Sequence, residues 1–294
     1  MIAYNPKDRY KFILSFHRSD TIRMLIPIMI AISLYTAGVV YVIDEVFEWK
    51  FEGTIAIHSL LGFVISLMLV FRTNTAYDRW WEGRKLWGGF VNHSRSFSMK
   101  AAAFLTREDS LRVQALLTNY FYACKDHLRK EMSTEGWIEI PGVQMDRYKN
   151  ASHVPNVLLA DLVTEVHKLK DRGVITDVEV LTLNEELRSF AENMGACERI
   201  HTTPIPYSYS MFIKKIVFFY TMTIPLGIAT TYGYWTILIV GFIFYAFASL
   251  ELLAEEIEDP FGHDANDLPT DQLANKIKQQ VKEIFDVQKP KSRW

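Results

Sequence analysis

Thr54-Ile55-Ala56-Ile57-His58-Ser59-Leu60-Leu61-Gly62-Phe63-Val64-Ile65-Ser66-Leu67-Met68-Leu69-Val70-Phe71 carries no formal charge, and Arg72 ends it. Eighteen residues rise about 27 Å as a helix, close to the hydrocarbon thickness of a bilayer. The segment that follows, Arg72 to Arg84, is charged and contains Trp80 and Trp81. Tryptophan and basic residues gather at the membrane–water interface. The run therefore predicts a membrane helix with its exit at Arg72.

Working outward, two further charge-free blocks stand in the 294-residue chain. Met24–Ile43 is one helix length, with Pro27 expected in the first turn, where a missing N–H costs little. It has no small-residue cleavage site close behind it and reads as a retained helix. Ile216–Leu250 holds 35 residues, too many for one crossing. Tyr232-Gly233-Tyr234-Trp235 sits near its middle, where glycine permits a turn and the aromatics favour an interface. The block splits into helices near 216–231 and 235–250, and Pro225 is expected to kink the first of them. Four spans result.

Charge sets their orientation. Lys7, Arg9, Lys11, Arg18 and Arg23 precede the first span, and Arg72, Arg79, Arg84, Lys85, Arg95 and Lys100 follow the second. The connection between them carries Asp44, Glu45, Glu48 and Glu52 against Lys50. Positive loops stay inside. Both termini and the long insert are expected in the cytoplasm. The organisation is a cytosolic segment 1–23, spans one and two within 24–71, a helical cytosolic domain 72–213, spans three and four within 214–250, and a cytosolic segment 251–294.

The insert reads as helical. Val157, Leu158, Leu162, Val163, Val166 and Leu169 recur at helical spacing, as do Val180, Leu183, Leu187, Phe190 and Met194. Thr176 with Glu179 predicts a capping box, and a further helix should begin near Thr106 or Ser110. Residues 136–155 read as loop, and the tail as a Pro-Phe-Gly turn followed by a helix around 272–285. The fold class is an all-α membrane protein. Cys124 and Cys197 fall in the cytosolic part, which makes a disulfide unexpected.

Composition excludes several functions. A net charge of −2 and the lack of a basic tract give no reason for nucleic-acid binding. No Gly-rich phosphate loop, zinc-protease helix, cysteine pair or nucleophile elbow occurs, so no catalytic residue, metal ligand or cofactor is assigned. The eight histidines are scattered, and His58 alone lies in a span, as a packing residue or as a relay. Glu251, Glu255, Glu256, Glu258 and Asp259 close the fourth span. They form either a solvated helix end paired with Arg79 or Arg84, or a charged vestibule that attracts cations.

The second span has two faces. Ser59, Gly62 and Ser66 are small residues at a spacing that lets helices approach closely. Phe63, Leu67 and Phe71 recur every fourth residue beside them. That stripe either packs against helices or lipid, or lines a pore as an apolar constriction that stops ions by dewetting. Four helices have no room for a pore of their own, whereas symmetric copies around an axis would supply one.

Three segments resemble the bestrophin family in its bacterial branch: Phe71-Arg72-Thr73-Asn74 through Arg79-Trp80-Trp81-Glu82-Gly83-Arg84 to Gly88; Cys197-Glu198-Arg199-Ile200 with Thr203-Pro204-Ile205-Pro206-Tyr207; and Leu253 through Asp259-Pro260-Phe261-Gly262 to Pro269. The resemblance implies a homopentameric channel in which each copy lends its second helix to a central pore. Aligned through Arg79-Trp80-Trp81, the family's apolar neck falls on Phe63, Leu67 and Phe71. A second, cytosolic aperture falls near Val180. Animal members bind calcium in an acidic run after Pro-Phe-Gly, of which Asp264 and Asp267 alone remain here, and no metal is expected. The partners implied are further copies of the chain, the lipid bilayer and small inorganic ions. Chloride-type anions are the family default, and monovalent cations such as sodium the variant. A membrane-anchored scaffold or receptor, whose helical insert binds a cytoplasmic partner, is the rival reading.

Overall fold

The computed structural model describes residues 20–46, 54–143 and 145–287. Among them it is helical throughout, with no strand: α1 Asp20–Tyr41, a π-helical turn Val42–Val46, α2 Thr54–Phe104, α3 Arg107–Leu128, α4 Asp146–Lys149, α5 Val154–Asp171, α6 Asp177–Thr202, α7 Tyr207–Tyr232, α8 Trp235–Glu258 and α9 Thr270–Asp286. Most of the charged N-terminal segment and of the acidic connection used for orientation lies outside the described residues.

The chain forms two compact units. One joins the residues up to Trp80 with Pro204–Asp259, and the other joins Trp81–Thr203 with the segment from Pro260 onward. The continuous helix α2 contributes to both.

The first unit is the membrane bundle. Among the described residues four helices are long and apolar enough to cross a bilayer: α1, α2, α7 and α8. Leu25 and Ile32 of α1 pack with Ile224 of α7 and with Val240 and Phe244 of α8. Ile65 and Leu69 of α2 pack on Ile213 and Val217 of α7. Much of the remaining apolar surface, such as Leu34, Phe219 and Leu238, stays exposed, as a lipid-facing surface requires. Helices α7 and α8 part at Gly233, whose φ of 52° favours glycine. One expectation is corrected. Helix α1 begins at Asp20, so Pro27 stands inside the helix and not in its first turn.

The second unit has an aromatic core. Phe90 of α2 meets Tyr120 and Phe121 of α3 edge-on, and Phe121 meets Phe190 of α6 at 5.3 Å. The buried Tyr120 hydroxyl donates to the Phe190 carbonyl at 2.9 Å, which satisfies its polar end. Thr106 caps α3, and Thr176 with Glu179 forms the complete capping box at the start of α6. Helix α9 lays Ala274, Ile277 and Val281 inward. It is tied to α3 by Asp271, which accepts from Lys125 at 3.0 Å and pairs with Arg129 at 2.8 Å. Within the expected loop 136–155 stands the short helix α4, and α5 begins at Val154. Cys124 and Cys197 are free thiols, and burial pushes both pKa values up, so they stay protonated and inert.

Candidate pore-lining helix

The buried row of α2 runs Ile65, Leu69, Arg72 and Ala76, at alternating spacings of four and three. At roughly 100° per residue these share one side of the helix. Phe63, Leu67 and Phe71 fall on the opposite side, and they are 67%, 46% and 58% exposed. Three bulky apolar side chains thus point away from the helix's own bundle. Asn74 and Asp78 continue that face and are exposed.

Of the three small residues, Gly62 makes the close contact. A Cβ there would lie 2.5 Å from the Tyr220 hydroxyl oxygen of α7. Tyr220 donates from that oxygen to the His58 carbonyl at 3.1 Å, and its ring stands tilted to the His58 ring at 6.1 Å. The hydroxyls of Ser59 and Ser66 turn back onto their own helix, to the carbonyls of Ile55 and Gly62, both at 2.8 Å. Internal bonding of this kind lets a hydroxyl sit in an apolar setting at little cost.

The end of the charge-free run is not the end of the helix. Arg72 is 1% exposed. Its Nη2 donates to Glu258 Oε2 at 2.6 Å. Glu258 Oε1 accepts from the Ile205 backbone N–H, and the Glu258 carbonyl accepts from Arg79 Nε at 3.0 Å. One carboxylate group therefore joins α2, the turn before α7 and the end of α8. Lys214 pairs with Glu255 at 2.8 Å and approaches Glu251 at 3.8 Å. Arg72 and Lys214 are thus side-chain partners of this acidic cluster, and the Arg79 side chain reaches one of its backbone carbonyls.

The other expected positions are less well placed. Val180 is 5% exposed, so its side chain serves the core of its own unit. Val178 and Leu181, on the same turn of α6, are the outward apolar residues at 68% and 69%. In the single protomer the outward apolar side chains of this turn are therefore the two beside Val180. After Pro260-Phe261-Gly262, one oxygen of buried Asp267 accepts the Asp264 N–H at 2.7 Å. The adjoining cavity, about 180 Å³, is lined by Asp264, Asp267 and Asp271 together with the Arg129 side chain.

The helices and their lipid-facing surfaces define a multi-pass α-helical membrane protein. Comparison with known proteins gives the family. Residues 1–283 match the family model described as Bacterial/Fungal Bestrophin protein. A voltage-dependent anion channel-forming protein of Nostoc sp. (strain PCC 7120) is 34% identical over 233 residues, which is 75% of this chain and 74% of that one. The voltage-dependent anion channel-forming protein YneE of Escherichia coli (strain K12) is 31% identical over 255 residues, 86% of this chain and 84% of its own. The crystal structure of a bacterial bestrophin homologue from Klebsiella pneumoniae superposes with a TM-score of 0.80 at 27% identity, covering 89% of this chain and 98% of that one. The chain belongs to the bestrophin family.

Proposed function

We propose that the protein is a passive channel for small monovalent anions of the chloride type, and not an enzyme. It acts as a homopentamer in the bacterial inner membrane, with both termini and the 72–213 insert in the cytoplasm. One observation carries the reading: Phe63, Leu67 and Phe71 form an apolar face on α2 opposite the side that packs in its own bundle. Around a fivefold axis these side chains make a narrow, dewetted neck that acts as gate and filter. The names of the Nostoc and Escherichia coli relatives support anions as the cargo. The turn of α6 with Val178 and Leu181 supplies apolar surface for a second, cytosolic constriction.

A second reading, monovalent cations, is favoured by Asp78. It is exposed, lies on the neck's face two turns past Phe71, and makes no hydrogen bond or ion pair with another described residue. Five unpaired carboxylates just beyond an apolar neck would concentrate cations.

The test is flux from proteoliposomes under separate chloride and sodium gradients, beside particle images of the purified protein. Chloride flux from fivefold particles is expected. Sodium flux alone selects the second reading, and no flux of either ion from folded protein overturns both.

A further inference from the structure

Two histidines and a glutamate far apart in sequence meet within the second unit. His127 lies in the last turn of α3, His153 is the residue before α5, and Glu198 stands on α6. The His127 and His153 rings stack at 4.3 Å and 29°. Both aim Nε2 at the same atom, Glu198 Oε1, at 2.9 Å and 2.6 Å. All three side chains are partly exposed. His127 also lines an open cavity of about 170 Å³, together with Asp126, Lys130, Ser133, Ala151 and Ser152.

We propose that His127, His153 and Glu198 form a binding site for a divalent transition-metal ion, zinc or a zinc-like cation, that clamps α3, α5 and α6 together. Two imidazole nitrogens and one carboxylate oxygen are a ligand set that zinc takes in sites with an open fourth position. Here the three ligand atoms lie within 4.8 Å of one another. Bonds of 2.0–2.2 Å to zinc set tetrahedral ligand atoms roughly 3.3 Å apart. The two nitrogens, now at 2.9 Å and 2.6 Å, therefore need to draw back from Glu198 by roughly 0.4 and 0.7 Å, within reach of side-chain rotation. His127 borders the open cavity, and a water molecule is the ordinary fourth ligand in such a set.

A hydrogen-bonded cluster with Glu198 as shared acceptor is the competing account, and one contact separates the two. The Asn156 N–H donates to His153 Nδ1 at 3.2 Å, capping α5. A neutral imidazole that accepts at Nδ1 carries its proton on Nε2. Metal at Nε2 moves that proton to Nδ1 and breaks the cap. Metal binding and the cap therefore compete, which places the affinity below that of a preorganised structural zinc site. It also supplies a clean variant: His153→Asn keeps a strong helix cap and removes the ligand.

The experiment uses the full chain in detergent, stripped with chelator and titrated with zinc by calorimetry, with metal content measured after dialysis. One zinc per protomer is expected, and zinc should raise the melting temperature. Changes to outer-shell residues alone cost about 10–100-fold, so His153→Asn and Glu198→Gln should each weaken binding by about 100-fold or more. Retained melting temperatures in the absence of metal show that both variants fold. Failure of the wild type to take stoichiometric zinc overturns the proposal, as does equal binding by the variants.

Discussion

Arg72 and Glu258 meet at 2.6 Å although 186 residues separate them in the chain, and both are buried. Their contact lets a helix carry a charge past the end of an apolar run without interruption. Removing one partner leaves the other ion buried and unpaired, which costs about 3–5 kcal/mol. Arg72→Ala and Glu258→Ala should each lower thermal stability sharply in detergent, whereas Arg72→Met with Glu258→Leu should recover most of the loss. Single variants that melt like the wild type would show the pair to be idle.

Phe63, Leu67 and Phe71 should behave in the opposite way. Their side chains are largely exposed in the protomer, so replacing all three by Ala removes little packing within the chain. Protomer stability should fall modestly while ion flux in proteoliposomes rises several-fold through the wider neck. Unchanged flux would favour a membrane-anchored scaffold over a channel.

Asp78 tests the sign of the permeant ion. Asp78→Asn removes an exposed carboxylate from the face that carries Phe63, Leu67 and Phe71, so the anion-to-cation permeability ratio, read from reversal potentials, should rise. A ratio that stays put would remove Asp78 from the conduction path.

Gly62→Ala sets a methyl 2.5 Å from the Tyr220 hydroxyl oxygen. The ring must shift and its bond to the His58 carbonyl is strained or lost. A loss of about 1–3 kcal/mol is expected. Tyr220→Phe removes the obstructing oxygen. The double variant should therefore be more stable than the two single losses predict, and simple additivity would contradict the contact.

Glu186 gives the second unit a pH dependence. Burial opposes ionisation, but hydrogen bonds from Ser96, Lys100 and His93 outweigh it and hold the carboxyl below its usual pKa. A depressed folded pKa contributes stability that is complete above the unfolded value of about 4.3. That contribution disappears as pH falls through the lower folded value. Melting curves across this range should show the wild type losing stability with acid and Glu186→Gln losing less.

The four spans were legible because a bilayer demands about 20 apolar residues in a row and tolerates few substitutes. The caps at Thr106 and Thr176 were legible for a similar reason, since their partners lie three residues away. What was hidden depends on residues distant in the chain. Arg72 read as an end because nothing nearby announces Glu258. Val180 stands on the periodic stripe with Leu183 and Leu187 that the structure buries, and the aperture reading came from the family resemblance, not from that spacing. His127, His153 and Glu198 looked scattered because helices α3, α5 and α6 bring them together only after folding.

Helix α2 runs 51 residues, about 76 Å at 1.5 Å per residue, and contains no proline between Thr54 and Phe104. Proline is the commonest preset hinge, and this rod has none. Under the proposed function, opening the neck means rolling Phe63, Leu67 and Phe71 aside like a key in a lock, with Gly62 against Tyr220 as the bearing surface.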